Sequence, residues 1–189
     1  MSVRTPDAFP TADVEVPAFL DDLGLDGIVD LHVHAMPDRL QQAVWRFFDG
    51  LQDPPWPIHY RDAADARLRQ LADLGVVAHT ALAYAHRPGM LRWLNDHTLD
   101  LADRHAQVLP TFTIHPQPDV AALTAEAIDR GGSVVKVHTQ VGRFHATDPR
   151  LDDAWQQIAD ARLPVMLHAT AVYGVDGGDE WCGIDTVRA

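Results

Sequence analysis

The chain of 189 residues carries 27 acidic against 15 basic side chains, a net charge of -12, which makes nucleic acid and anionic membrane poor partners. Apolar residues at 47% and charged residues at 22% describe an ordinary globular chain, long enough for one domain with a short leader. No apolar run approaches the roughly 20 residues that span a bilayer. The N-terminal stretch lacks the basic-then-apolar order of a signal peptide. One cysteine, Cys182, cannot form an internal disulfide, so a reducing cytoplasm is the expected setting.

Residues 1–25, polar and acidic, read as a leader, and 26–189 as the domain. Apolar, β-branched runs follow at 28–34, 76–83, 108–115, 134–138 and 164–168. Between them the apolar spacing turns helical. Ala64, Leu68, Leu71 and Ala72 share one face, with Gly75 placed as a C-terminal cap. Leu94, Thr98, Leu101 and Ala102 repeat the spacing, as do Val120, Leu123, Ala127 and Ile128 before Gly131-Gly132. Leu151, Ala154, Trp155, Ile158 and Ala159 make a fourth helix, with Asp148-Pro149 as cap and first-turn proline. Strand alternating with helix predicts βαβ units and a parallel sheet. Two intervening segments read as loops: the aromatic- and proline-rich 35–60, where a barrel would carry a lid, and the glycine-rich 169–183.

Polar groups gather where these strands end: His32 and His34, His115, His138, His168. Ligands of α/β proteins bind at the C-terminal ends of strands, in closed barrels and open sheets alike. In "IVDLHVH", Asp30, His32 and His34 share a parity, so a regular strand would hold both imidazoles on one face about 7 Å apart. Two imidazoles so placed converge on one metal ion; the plain alternative is a hydrogen-bonded polar layer. A mononuclear zinc site takes three protein ligands and a water, so a third donor is required, and His168 in "LPVMLHAT" supplies it.

"VVKVHTQVGRF" puts Lys136 and His138 on one parity. A lysine inside a strand series is costly unless paired or modified. It bridges metals as a carboxylated lysine, holds a substrate anion, or pairs with a carboxylate such as Asp30. His138, one step nearer the strand end, faces metal or substrate. His79 and His115 read as structural or rim residues; His59, His86, His97, His105 and His145 as loop or helix-surface residues. Asp38 and Arg39, following the first strand, are within reach of the mouth.

Together, Asp30-Leu-His32-Val-His34, the "VVKVH" strand and "PVMLHA" resemble the amidohydrolase superfamily, most closely its amidohydrolase-related branch of metal-dependent hydrolases and decarboxylases. The resemblance covers about residues 26–185. It implies a (β/α)8 TIM barrel with a divalent metal, zinc by preference, at the C-terminal mouth. His32, His34 and His168 map onto metal ligands; Lys136 joins them in a binuclear site. His138 and Arg39 fall to the substrate. The implied function is hydrolysis of a small carbonyl compound through a metal-activated water. The alternatives are a decarboxylase on the same site and a non-catalytic fragment that still binds metal. "DLHVHA" also resembles metal-dependent phosphoesterases of the polymerase-and-histidinol-phosphatase type, which would leave Lys136 unexplained.

Five strands are used by residue 168, whereas a complete barrel takes about 250 residues. The expectation is therefore an incomplete, C-terminally truncated barrel of about five βα units, with "GIDTVRA" starting one more helix. The strands that would carry the family's later histidine and aspartate are missing, and Asp176, Asp179 and Glu180 do not replace them. Open edges at the first and fifth strands predict pairing with a second copy or a completing chain.

Overall fold

The computed structural model describes residues 9–52 and 55–183. The strands are β1 (Ile28–Asp30), β2 (Val76–Thr80), β3 (Val108–Leu109), β4 (Thr111–Thr113), β5 (Val134–His138) and β6 (Val165–His168). The helices are α1 (Val16–Leu23), α2 (Asp38–Asp49), α3 (Ala64–Asp73), α4 (Leu91–Arg104), α5 (Val120–Asp129), α6 (Thr139–Gly142), α7 (Asp152–Asp160) and α8 (Gly178–Trp181). The class is α/β, and every strand pairing is parallel, in two sheets ordered β1-β2-β3 and β4-β5-β6.

The two sheets are joined by one residue, Pro110, between β3 and β4. Proline has no N–H for a ladder and is excluded from strand interiors. The predicted run 108–115 is accordingly broken in two, β3 pairing with β2 and β4 with β5. The Pro110 carbonyl still accepts from Ser133 N–H at 2.8 Å and Val134 N–H at 3.2 Å, which ties the junction to β5.

The second sheet has a regular register: Thr113 opposite Lys136, Lys136 opposite Met166, His138 opposite His168. Partners in register share a face. One face therefore carries Thr113, Lys136, His138 and His168. The other carries Phe112, Val135 and Val137, all at 1% exposure or less. These pack with Leu91 and Leu94 of α4, Leu123 and Ala127 of α5, and Ala154 and Ile158 of α7 in the main apolar core. A smaller cluster joins Ala35, Leu68 of α3, Ala81, Leu101 of α4 and Val108.

Four local expectations are revised. The run 28–34 is not one strand. The Asp30 carboxylate accepts the His32 N–H at 2.9 Å, a side-chain-to-backbone turn that competes with the ladder, and the chain rejoins its neighbour through one bridge, His34 to Leu82. Segment 35–60 contains the helix α2, and 169–183 contains α8. The fourth helix opens as a 3-10 turn, Pro149–Leu151, whose cap Asp148 accepts Arg150 N–H at 3.0 Å, before α7 begins. Within the leader, α1 buries Leu20. The expected helix start at 184–189 lies outside the described residues. Among the described residues no helix is long and apolar enough to cross a membrane.

Candidate functional site

The polar ends of β1, β5 and β6 form a chain of ring contacts. The His32 and His34 rings lie 5.3 Å apart, centroid to centroid. Tyr84 stands between the sheets, 5.7 Å from the His34 ring and 4.7 Å from that of His138. The His138 and His168 rings stack at 4.1 Å with planes 16° apart. The structure thus brings together His32, His34, His138 and His168, four of the five imidazoles that the sequence placed at strand ends; His115 is held apart from them between backbone carbonyls.

Lys136 is fully buried, and its Nζ has no hydrogen-bond partner among the described residues. It is electrostatically coupled to His32, His34, His138 and His168. Of the alternatives for Lys136, pairing with Asp30 is not formed; that carboxylate accepts the His32 N–H instead. Burial lowers the Lys136 amine to about 8.

Burial first, and Lys136 second, push His34 down to about 4. Burial, then His168 and Lys136, push His138 to about 3. His168 and His32 are also lowered, by burial and then by Lys136. All four imidazoles are neutral at physiological pH, the form that ligates metals. Hydrogen bonds decide which nitrogen has a free lone pair. His34 Nδ1 lies 3.2 Å from the Leu82 carbonyl, which can only accept, so the proton is on Nδ1 and Nε2 is free. His168 also bonds the Thr170 backbone, and its Nε2 is buried without a partner among the described residues. A ligating histidine ordinarily donates its second nitrogen to a carbonyl or carboxylate. His138 differs: its Nδ1 accepts Val141 N–H at 3.4 Å at the start of α6, leaving the proton on Nε2. That makes it a donor toward a substrate rather than a ligand.

The donors are not drawn into a coordination shell. Among the described residues no three His, Cys, Asp or Glu side chains are gathered closely enough to hold a metal ion. His32 is exposed while His34 and His168 are half-buried.

Arg39 is exposed in the first turn of α2 and makes no hydrogen bond or ion pair among the described residues, so the structure does not join it to the cluster. His115 is buried between the Pro116 and Gly142 carbonyls, each at 3.2 Å, and His79 bonds the Thr80 carbonyl at 2.9 Å. Both are structural, as expected. His97 was read as a surface residue; it is half-buried and bonds the Ala35 backbone.

Four residues of this region escaped the sequence reading. Tyr84 follows directly on the run 76–83. Arg67 of α3 donates Nη1–H to the His34 carbonyl at 3.3 Å. Gln140, at 0% exposure, fastens segment 169–183 over the strand ends. Its Nε2 donates to the Val175 carbonyl and its Oε1 accepts Val172 N–H, both at 2.7 Å. Thr139 Oγ1 adds a bond to the Trp181 carbonyl at 2.7 Å. A polar pair following directly on the strand "VVKVH" was the available signal.

No protein-family model matches the chain, and no curated protein matches it.

Proposed function

We propose that the chain carries the site of a metal-dependent hydrolase of the amidohydrolase-related type, on the N-terminal βα units of a (β/α)8 barrel, acting on a small carbonyl compound. The observation that supports it most is the state of His34 and His168: both neutral, with Nε2 free in His34 and, in His168, buried without a partner among the described residues. An orphaned buried nitrogen costs about 1–3 kcal/mol, a cost that a bound cation would remove. The residues fit a divalent ion in donor chemistry, and gathering them around it takes side-chain movement at His32, the exposed member.

In this reading His32, His34 and His168 hold the metal, with Lys136 in reserve for a second one. Nitrogen donors favour zinc, which supplies Lewis acidity and water activation when bound. The chain's own residues do the rest. His138 presents Nε2–H toward the substrate, fixed in that tautomer by Val141. Gln140 and Thr139 hold segment 169–183 against the strand ends and limit water there. Asp30 orients His32 through its backbone. One observation favours a second reading, a decarboxylase on the same residues: Arg67, beside His34, is a guanidinium with no carboxylate partner among the described residues.

Zinc content and affinity of the purified chain, beside a His32→Ala/His34→Ala double variant, test the proposal. Near-stoichiometric zinc lost in the variant supports it. Zinc at the variant's background level in the parent chain removes the metal and the hydrolase reading with it.

A further inference from the structure

Segment 169–183 leaves β6 directly after His168 and closes on itself. At its neck Gly183 N–H donates to the Ala169 carbonyl at 2.8 Å, and Cys182 Sγ–H to the Thr170 carbonyl at 3.2 Å. Gly183 holds φ of +109° there, a backbone conformation that a side chain would strain. Three further bonds stay within the segment: Val175 N–H to Val172, Trp181 N–H to Gly177 and Cys182 N–H to Gly178. A loop with adjoining ends and its own internal bonds is an Ω-loop, a compact body on a narrow neck.

The moorings of this body to the rest of the chain are of another kind, made by side chains at a few points. Gln140 bonds Val172 and Val175, and Thr139 Oγ1 donates to the Trp181 carbonyl, each at 2.7 Å. The Trp181 and His145 rings lie 4.6 Å apart. At the tip, the Leu51 Cδ2 methyl fills the space that a Cβ on Gly174 would take. Leu51 lies just beyond α2, so the loops after β1 and β6 meet at this contact. Opening that breaks a few side-chain contacts, and spares every sheet ladder, belongs to the low-cost end of local motions.

The moored side adjoins the stacked imidazoles. The Thr139 hydroxyl that holds Trp181 also lies 3.5 Å from the His168 carbonyl. His138 is 5% exposed, and His168 Nε2 is closed to solvent without a partner among the described residues. A solute reaches that nitrogen only if something beside it moves.

We propose that segment 169–183 is a hinged lid over His138 and His168, swinging as one body on its Ala169–Gly183 neck and latched by Gln140, Thr139 and the Leu51–Gly174 contact. Segment 35–60, which the sequence offered as the lid, supplies the latch at Leu51. The inference rests on reading this mouth as a site that small molecules enter. Its test uses neither metal nor substrate, so a chain that binds no zinc leaves the lid standing.

Diethyl pyrocarbonate, which acylates neutral imidazole at an accessible nitrogen, is the probe. It is applied to the full chain, kept metal-free by a chelator, and read histidine by histidine from peptide masses. His86 is the exposed reference. His79 of β2 is the buried one, its Nε2 likewise closed and without a partner among the described residues. In the parent, His168 is expected to react about tenfold or more slower than His86. Leu51→Ala and Gln140→Ala should each speed His168 about threefold or more while His79 stays slow. Amide exchange in both variants should rise at Val172 while Gly183 stays protected, because a swinging body keeps its neck bond. Leu51→Ala carries the test if Gln140→Ala fails to fold by circular dichroism. His168 reacting as fast as His86 in the parent, or unmoved by the folded variants, overturns the proposal. So does acceleration of His168 and His79 together, which is general loosening, or of Val172 and Gly183 together, which is unravelling in place of a swing.

Discussion

His138 and His168 occupy directly paired positions of β5 and β6 and stack ring on ring at 4.1 Å. Stacking of this kind needs at least one neutral ring, and burial keeps both imidazoles below their ordinary range. Protonating His138 at Nδ1 would also remove the acceptor that caps α6 through Val141. The cap therefore exists only with His138 neutral at Nδ1, and the stack only while at least one of the two rings is neutral.

This fixes the sign of a pH dependence. An unfolded chain takes up protons at its histidines near 6.5, whereas His34 resists until about 4 and His138 until about 3. Between these limits the unfolded state binds more protons, so stability falls as pH falls. The contribution is fully present above 6.5. Urea unfolding of the metal-free chain is expected to lose roughly 1–3 kcal/mol from pH 7 to pH 4.5. His138→Asn should flatten that slope, and an unchanged slope would remove His138 as its source.

Lys136 titrates in the opposite part of the scale. Its amine is lowered to about 8 in the fold, against 10.5 in an unfolded chain. Below pH 8 the buried charge is carried at full cost, and stability rises with pH up to about 10.5 as the native state sheds the proton first. No partner among the described residues offsets this cost. Lys136→Met keeps most of the length and removes the charge. It should stabilise the metal-free chain by about 1–3 kcal/mol at pH 7, with the gain shrinking toward pH 10. Destabilisation at pH 7 would mean that Lys136 is paired in solution.

Much of this architecture was legible in the sequence. β-branched runs with polar ends mark strands covered on both faces, so β2, β5 and β6, and the histidines that end β5 and β6, could be placed from the pattern alone. The break at Pro110 was passed over when 108–115 was read as one run, although proline inside a strand run marks such a break. The turn at Asp30 was not, because an aspartate that bonds its own backbone looks the same in sequence as one in a ladder. Nor was α2: its 12 residues lie among flanking prolines and aromatics that read as loop, and its inward side is marked by the buried Gln41 together with Leu40 and Val44, which pack on the core. Tyr84 and Arg67 owe their places to contacts made across the fold, from which no local spacing follows, whereas for Gln140 the one signal was its position just after the strand "VVKVH".

The turn between α5 and β5 separates two kinds of glycine requirement. Gly131 has φ of +86° with open space around it, so alanine there meets only backbone strain of about 1 kcal/mol. At Gly132 a Cβ would lie 2.6 Å from Phe112 Cδ1 and 2.7 Å from the Ala127 carbonyl oxygen. Phe112 is itself locked in the main core. Gly132→Ala is therefore expected to cost about 2–3 kcal/mol, more than Gly131→Ala, in paired thermal or urea denaturation. The reverse order would show that the Phe112 ring can move aside.

Gln140 offers the sharpest test of how segment 169–183 is held. Its amide fills both roles at once, donating to Val175 and accepting from Val172, in a position closed to solvent. Alanine would leave the Val172 N–H and the Val175 carbonyl without these partners, each loss worth about 1 kcal/mol or more. Glutamate would keep the acceptor for Val172 but turn a carboxylate oxygen toward the Val175 carbonyl. Hydrogen exchange at Val172 should accelerate by tenfold or more in Gln140→Ala, and limited proteolysis should move into 169–183. Exchange within β5 should change far less, because its ladder to β4 and β6 does not depend on the amide. Uniform acceleration across both regions would instead mean that Gln140 supports the whole sheet, and segment 169–183 would lose its standing as a separately fastened cover.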